Sequence, residues 1–232
     1  KNYEAEANYI ESLIAKYSAS AKTILELGCG TGKHAKTLSD KGFIIHGIDL
    51  SATMLNEAYK LPNETLTFEQ GDVRTFSTDK QFDAVISLFH VASYQITNED
   101  LINYFKTAGK HLKSGGIFIF DCWYGPAVLT EKPEYRVKEL ENEKIKVLRI
   151  AEPVLYPNEN IVDVNYSIQI EDKITKIIEK FEETHKMRYL FKPEIKFFMQ
   201  QTGFKLVATE EWRTGKEIGF DTWGACFVLE KK

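Results

Sequence analysis

The sequence predicts an α/β fold in which a parallel sheet carries helices on both faces and an antiparallel β-sheet is inserted. Up to Pro126, short β-rich runs alternate with helix-length segments in units of roughly 20 to 35 residues, a spacing typical of right-handed βαβ crossovers. Beyond that proline, long runs alternate polar and apolar residues, which indicates antiparallel strands solvated on one face. Helical and strand patterns of the first kind return after residue 190.

Helices and strands are predicted to alternate in the first part of the chain. Apolar residues at three- and four-residue spacing predict an amphipathic helix over residues 3–17. Two helices over 32–40 and 99–112 alternate with the strands that come next. The five predicted strands span residues 23–27, 43–48, 66–68, 82–88 and 117–120.

The inserted sheet and the end of the chain complete the prediction. Four antiparallel strands are predicted over 135–140, 144–150, 161–170 and 176–189. Pro193 suits a first helical turn and Gly203 a C-cap, which predicts a helix over 192–202. Strands over 205–211 and 225–229 then close the sheet. The core is therefore assigned to residues 1–130 and 191–232, and the insert to 131–190.

Composition bounds the class of protein. The 232 residues, 43% hydrophobic and 28% charged, suit one large domain or one domain with an insert. Lys and Arg number 30 against 34 Asp and Glu, a formal net charge of -4. Since no overall basic field favours a polyanion, neither a nucleic acid nor a membrane is expected as a partner.

Cysteine usage and hydropathy predict a soluble, cytoplasmic protein. Cys29, Cys122 and Cys226 are widely separated, with no CxxC motif and no paired His, which argues against a disulfide framework or a zinc site. No apolar stretch approaches the roughly 18 to 20 residues that span a bilayer. The polar start does not resemble a signal peptide. Because the sequence opens on Lys1 rather than Met, a natural N-terminal segment ahead of it is left open.

A glycine-rich turn lies directly between the first strand and its helix, with Gly28, Gly30 and Gly32 at alternate positions. Glycines let backbone N–H groups approach a ligand closely, and the helix N-terminus adds partial positive charge. The spacing fits neither G-x-G-x-x-G nor G-x-x-x-x-G-K-[ST], and with Glu26 it reads E-x-G-x-G-x-G. Such a turn suits a ligand that lacks phosphates.

Acidic residues end the next two strands. Asp49 can accept two hydrogen bonds from a ribose diol, each worth on the order of 1.5 to 3 kcal/mol. Asp72 can accept from an exocyclic adenine amine while Val73 covers the ring. Taken singly, these residues also fit a tight βα turn and helix caps. Their occurrence together at successive strand ends favours one shared ligand site.

These signals form an ordered set at residues 26–32, 49, 71–73 and 82–86, and the set resembles the class I S-adenosylmethionine-dependent methyltransferases. Residues 112–116 are similar to the signature that follows the family's core, so the match covers about residues 20 to 125. The resemblance implies a Rossmann-like, seven-stranded sheet whose last strand is inserted antiparallel. It also implies S-adenosylmethionine as cofactor, S-adenosylhomocysteine as product, and no metal.

The resemblance assigns the cofactor residues one by one. The glycines would line the methionine portion, Asp49 would take the ribose hydroxyls, and Asp72 would flank the adenine. For Glu26, binding of the methionine ammonium through water and capping of a turn both stay open. The predicted cofactor set is Tyr3, Glu26, Gly28, Gly30, Gly32, Asp49, Leu50, Asp72, Val73 and Leu88, with Leu88 on the sulfonium side and Tyr3 assigned by the narrower resemblance described below.

The exit of the fourth strand, residues 88–94, bears on the acceptor. It lacks the Asn/Asp-Pro-Pro-Tyr motif that methyltransferases of amide or nucleobase nitrogens often carry. In this chemistry the protein mainly aligns a nucleophile with the methyl group and excludes water. His90 and Tyr94 are the candidate catalytic residues, and aromatic faces there would stabilise a sulfonium by about 0.5 to 2 kcal/mol. A packing role for His90 stays open.

A narrower resemblance involves residues 1–7, 87–89, 120–126 and 185–191. They look like small methyltransferases that N,N-dimethylate nucleotide-linked deoxysugars, and related small-molecule N-methyltransferases. This implies that Tyr3 lies in a segment folded over the cofactor and that the insert binds the substrate. It also places Trp123 and Tyr124 at the floor of the acceptor pocket and makes Arg188 a substrate ligand. Ordinary rim aromatics, and an arginine that bridges a carboxylate, are the alternatives.

The predicted function is methyl transfer from S-adenosylmethionine to a small molecule, with an amine nitrogen favoured and a nucleotide-linked aminosugar among the candidates. Small-molecule O- or C-methylation is the first alternative. A non-catalytic, cofactor-binding partner protein is the second. RNA methylation is disfavoured by the acidic balance and the lack of an appended basic module. The expected partner is a small-molecule substrate, and the expected state is a monomer or homodimer.

Overall fold

Seven strands form one mixed sheet and four form a second, antiparallel sheet in the computed structural model, which describes residues 2–61 and 64–232. Lys1, part of the predicted segment over the cofactor, lies outside the described residues. The helices are α1 (Tyr3–Tyr17), α2 (Lys33–Asp40), α3 (Ala52–Ala58), α4 (Asn98–His111), α5 (Gly125–Thr130) and α6 (Lys192–Gln201). No described helix is both long enough and apolar enough to cross a membrane.

The large sheet contains β1 (Thr23–Leu27), β2 (Ile44–Asp49), β3 (Leu66–Gln70), β4 (Phe82–Ser87), β5 (Leu112–Trp123), β10 (Phe204–Glu211) and β11 (Gly224–Lys231). Its strand order is β10-β11-β5-β4-β1-β2-β3. The first five strands pair in parallel, and β11 is antiparallel to both of its neighbours. The predicted fold class, with the last strand inserted antiparallel, is therefore confirmed.

Hydrophobic packing covers both faces of this sheet, because alternate residues of a strand point to opposite sides. On β5, Phe118 and Phe120 pack with the residues of α4 and α6. Ile117 and Ile119 pack instead with residues of α1 and α2. The helices thus form a layer on each side, and the carboxyl ends of the parallel strands remain available for a site.

The second sheet contains β6 (Arg136–Glu141), β7 (Ile145–Tyr156), β8 (Ile161–Asp172) and β9 (Ile178–Arg188), in that order. Val162 and Val164 of β8, with Met187 of β9, pack against Val128 of α5. Through this hydrophobic contact the second sheet packs against α5.

Local predictions were wrong at two prolines. Strand β7 runs past residue 150 and includes Pro153, which pairs with Val164 of β8. The missing N–H costs little there, because the pairing of β6 with β7 already ends at Ala151 and leaves that side of β7 unpaired. At Pro126 no helix was predicted, yet this proline lies in the first turn of α5, where proline is well tolerated.

His111, buried on α4, is satisfied as a neutral imidazole. Its Nδ1 lies 2.8 Å from the Thr107 carbonyl, to which it can donate, and its Nε2 accepts from the Thr78 N–H at 3.1 Å. Burial lowers the pKa of His111. Burial also lowers the pKa of His46 on β2.

We expect the free energy of unfolding to decrease as the pH falls from 7 to 5. Both histidines have folded pKa values below the unfolded value of about 6.5, so the unfolded state binds more protons in this window. Each unit of difference contributes up to about 1.4 kcal/mol. Urea denaturation at pH 7.5, 6.5 and 5.5 measures the slope, and His111→Gln should flatten it. An unchanged slope in that variant would show that His111 does not carry the effect.

Candidate active site

The glycine-rich turn at the end of β1 requires glycine for two reasons. Gly28, Gly30 and Gly32 have φ values of 76°, 55° and 71°, in the left-handed region. A β-carbon on Gly28 would lie 2.6 Å from Cγ2 of Val91, and one on Gly32 would lie 2.7 Å from Cζ of Phe68. The turn is therefore conformationally restricted and tightly packed, against the exit of β4 at Gly28 and against β3 at Gly32.

Gly28→Ala is expected to reduce the free energy of unfolding by about 2 to 4 kcal/mol, since left-handed strain adds to overpacking against Val91. Gly42→Ala is the matched control, because Gly42 has φ 96° but a β-carbon on it would meet nothing within 4 Å. It should lose only about 1 to 2 kcal/mol. Urea unfolding gives both values. Equal losses in the two variants would contradict the crowding at Gly28.

Asp49 at the end of β2 fixes the position of this turn. Its Oδ2 accepts from the Gly30 N–H at 2.8 Å, and its Oδ1 accepts from the Ser51 N–H at 2.8 Å. A carboxylate has about four acceptor sites, so two bonds leave capacity for two more. The Asp49 carboxylate can therefore bind a ligand diol while it holds the glycine turn.

Asp72, just after β3, is held by Arg74, which the sequence did not single out. Nε of Arg74 donates to Oδ1 of Asp72 at 2.9 Å, and Nη2 donates to Oδ2 at 2.6 Å. The hydrogen bonds from Arg74 lower the pKa of Asp72. The same guanidinium also reaches Asp100 of α4 at 3.0 Å. Any contact of Asp72 with a ligand amine is thus shared with this ion pair.

A cavity of about 600 Å³ opens at these strand ends, within the size range of small-ligand sites. Five of the predicted cofactor residues line it: Gly28, Asp49, Leu50, Asp72 and Val73. Arg74, Val91 and Tyr94 complete part of the wall. We refer to it as the cofactor cavity.

Tyr3 and Glu26 meet beside the glycine turn through His34. The ring of Tyr3 packs edge-on against His34 with centroids 5.0 Å apart. The two ring nitrogens of His34 lie 2.6 Å from Oε2 of Glu6 and 3.9 Å from Oε1 of Glu26. This chain of contacts connects α1 with α2 and β1.

The exit of β4 is strained and supported by a buried carboxylate. Phe89 and His90 both have φ 67°, and such a conformation costs on the order of 1 to 3 kcal/mol per residue. The His90 N–H donates to both oxygens of Asp121, at 3.1 and 3.2 Å. Nδ1 of His90 lies 2.7 Å from Oδ2 of Asp121, an ion-pair distance, although their alignment does not meet hydrogen-bond geometry. Asp121, only 1% exposed, was not singled out from the sequence because it is a lone polar residue that directly follows the predicted strand 117–120.

A second cavity, of about 560 Å³, lies between the exit of β4 and the second sheet, and we refer to it as the acceptor cavity. His90 and Trp123 line it from the core. Pro153, Val164 and Tyr166 line it from the second sheet. Since Val91 and Tyr94 line the cofactor cavity, the segment 90–94 separates the two cavities and contributes a wall to each.

Tyr94 connects this segment to the second sheet. Its Oη lies 2.6 Å from Nδ1 of His185 on β9. Burial raises the pKa of Tyr94, so its hydroxyl stays protonated at neutral pH. The ring of His185 also packs edge-on against Tyr166, which lines the acceptor cavity.

Gly30 and Gly32 of the turn do not line the cofactor cavity, and three further predicted site residues line neither cavity. Leu88 is 2% exposed and packs in the hydrophobic core rather than on the cofactor cavity. Tyr124, the N-cap residue of α5, packs in the hydrophobic core on the other face of the sheet. Arg188 is bound by Glu194 and by Asn98, the latter at 2.8 Å, and does not line the acceptor cavity. The Arg188 guanidinium is therefore occupied within the protein, and its role as a substrate ligand stays a prediction.

Metal ligands do not cluster in the residues that the structure describes: no group of three or more His, Cys, Asp or Glu side chains could hold an ion.

Part of the chain matches a known protein family, and nearly its full length is similar to a known protein. The family described as Methyltransferase domain matches residues 24–116. The dTDP-3-amino-3,4,6-trideoxy-alpha-D-glucopyranose N,N-dimethyltransferase of Streptomyces venezuelae is 26% identical over 219 residues, 94% of this chain and 90% of the relative.

Two solved structures share the fold over the whole chain. An S-adenosylmethionine-dependent methyltransferase from Clostridium acetobutylicum has a TM-score of 0.87 and 22% identity, covering 100% of this chain and 92% of the other. CalS10, an amino pentose methyltransferase from Micromonospora echinaspora solved with S-adenosylmethionine bound, has a TM-score of 0.80 and 22% identity, with the same coverage.

Proposed function

We propose that this chain, which belongs to the class I S-adenosylmethionine-dependent methyltransferases, methylates the amine nitrogen of a small molecule. The observation that carries the proposal is the pair of cavities on opposite sides of segment 90–94. One has the strand-end carboxylates suited to a nucleoside, and the other is lined by aromatic side chains and His90. A cofactor and an acceptor could meet across this segment.

The cofactor cavity fits S-adenosylmethionine. Asp49 has free acceptor capacity for the ribose hydroxyls, Asp72 and Val73 flank the place for the adenine, and the crowded glycine turn offers backbone to the methionine portion. Tyr3 and Glu26 lie beside that turn. When bound, S-adenosylmethionine would supply a sulfonium methyl group, whose C–S bond would break as the C–N bond to the acceptor forms, leaving S-adenosylhomocysteine.

His90 is the base in this proposal. An amine nitrogen reacts only when its lone pair is free, so an ammonium proton must first leave. Asp121 holds the backbone of His90 and lies beside Nδ1, so Nε2 is the ring nitrogen available to the acceptor cavity. Asp121 is a positioning residue, because it acts through His90.

The names of relatives support nitrogen as the acceptor atom. The Streptomyces venezuelae relative is an N,N-dimethyltransferase of an aminosugar nucleotide. A second relative, from Streptomyces fradiae, is another N,N-dimethyltransferase of this kind, 29% identical over 130 residues, 56% of this chain and 51% of the relative. If the monomethylated product can bind again in the acceptor cavity, the same nitrogen could receive a second methyl group.

The test is a panel of small amines and the matching alcohols, incubated with enzyme and methyl-¹³C-labelled S-adenosylmethionine. We expect labelled N-methyl products from amines and none from the alcohols, detected by mass spectrometry and NMR. Label on oxygen or carbon would move the function to the O- or C-methyltransferases. Tight cofactor binding without turnover on any panel member would favour a non-catalytic cofactor-binding protein.

A further inference from the structure

The lining of the acceptor cavity narrows the class of amine. Resting on the proposed function, we propose that the acceptor is a phosphate-free amine, cationic in solution, with a cyclic or apolar body. A sugar linked to a nucleoside diphosphate, the kind of compound named for the Streptomyces relatives, is not the preferred substrate of this chain.

The acceptor cavity has aromatic walls. Trp123, Trp212, Trp223 and Tyr166 line the cavity, and the rings of Trp123 and Trp223 meet at 89° with centroids 5.9 Å apart. Perpendicular aromatic rings present faces from two directions, and the face of an indole attracts an organic cation more strongly than that of any other side chain. Apolar Pro153 and Val164 on the second sheet suit the body of such a molecule.

The charged side chains that line the acceptor cavity are mainly negative. Among the described lining residues, Glu134, Glu211 and Asp221 are carboxylates, and Arg136 is a guanidinium. Oε2 of Glu211 is contacted by the Thr222 hydroxyl at 3.4 Å, a weak bond that leaves its charge available. An ammonium group is attracted by this lining, whereas a diphosphate would be placed against three like charges.

Two arginines that could bind a diphosphate are engaged elsewhere in the protein. Arg188 is 7% exposed and its guanidinium is bound by Glu194 and Asn98. Arg149 lies over the ring of Tyr166, with Cζ 5.3 Å from the centroid, and does not line the cavity. Among the lining residues that the structure describes, this leaves Arg136 as the one guanidinium, whereas phosphate recognition usually relies on converging cationic or backbone donors.

The same lining explains how a cationic amine becomes reactive. The ammonium N–H bond breaks as its proton moves to Nε2 of His90, which leaves a neutral amine and an imidazolium beside the carboxylate of Asp121. The nitrogen lone pair is then free to form the new C–N bond, and the imidazolium later releases the proton to solvent. No additional reactant is needed for this proton transfer.

The experiment compares a matched pair of acceptors. One is dTDP-3-amino-3,4,6-trideoxyglucose, and the other is the methyl glycoside of the same aminosugar; tryptamine is included as an aromatic amine. We expect kcat/KM for the better phosphate-free amine to exceed that for the nucleotide sugar by at least about tenfold. An equal or higher value for the nucleotide sugar would overturn this inference and leave the proposed function intact. Methylation of none of the three would contradict both.

Charge variants provide an independent readout. Glu211→Gln and Asp221→Asn should each raise KM for the phosphate-free amine by about five- to tenfold and make its KM less dependent on salt. The control is Glu152→Gln, since Glu152 lies between Ala151 and Pro153 on β7 and its side chain points to the opposite face of the second sheet. Unchanged KM values in both cavity variants, or equal changes in the control, would overturn the charge assignment.

Discussion

Replacing Asp49 with Ala is expected to weaken the binding of S-adenosylmethionine by at least about 100-fold. Two hydrogen bonds to a charged acceptor contribute about 1.5 to 3 kcal/mol each, and a 100-fold loss corresponds to about 2.7 kcal/mol. The variant also loses the bonds from the Gly30 and Ser51 N–H groups, so the glycine turn is released as well. Isothermal titration calorimetry measures the dissociation constant directly.

The control for this prediction is Asp40→Ala. Asp40 is an exposed carboxylate at the end of α2, paired with Lys36 and remote from the cofactor cavity. Its removal should leave cofactor binding within about twofold, because exposed i,i+4 pairs contribute only about 0.3 to 0.5 kcal/mol. Undiminished binding by Asp49→Ala would reject the ribose contact.

His90→Gln is expected to lower kcat by about 10²- to 10⁴-fold, the usual contribution of a positioned general base. The dissociation constant of S-adenosylmethionine should change little, because His90 lines the acceptor cavity and not the cofactor cavity. Single-turnover methyl transfer at saturating amine measures the loss, and added imidazole should restore part of the rate. A variant that keeps more than about a third of wild-type kcat would show that His90 only packs.

Asp121→Asn separates positioning from base chemistry. This variant should lower kcat less than His90→Gln does, because the imidazole of His90 remains. Activity should still fall, because the backbone N–H of His90, held at φ 67°, loses its charged acceptor. Loss of activity from Asp121→Asn with no rescue by imidazole would agree with this role. Full activity in that variant would contradict it.

The cofactor side of the molecule could be predicted because its information is local. Strand periodicity, glycine spacing and a carboxylate at a strand end are all contained in short segments, and the parallel pairing of β1, β2 and β3 brings those ends together. Arg74 escaped prediction because its effect depends on how the chain turns after Asp72. The cofactor residues, although five of them line one cavity, stay predictions until binding is measured.

The acceptor side depended on tertiary contacts that no local pattern contains. Asp121 supports His90 from a strand 31 residues further along the chain. The Arg188 guanidinium is bound by Glu194 of α6 and Asn98 of α4, two helices that are far apart in the sequence. The boundaries of the two subdomains, the cytoplasmic location and the choice between monomer and homodimer stay predictions.

The most direct test is a crystal structure of the complex with S-adenosylhomocysteine. We expect the ligand in the cofactor cavity, with both ribose hydroxyls on the Asp49 carboxylate and the sulfur directed past segment 90–94 toward His90 and the acceptor cavity. A ligand whose sulfur faces away from that cavity, or whose ribose is held by residues other than Asp49, would contradict the proposed site.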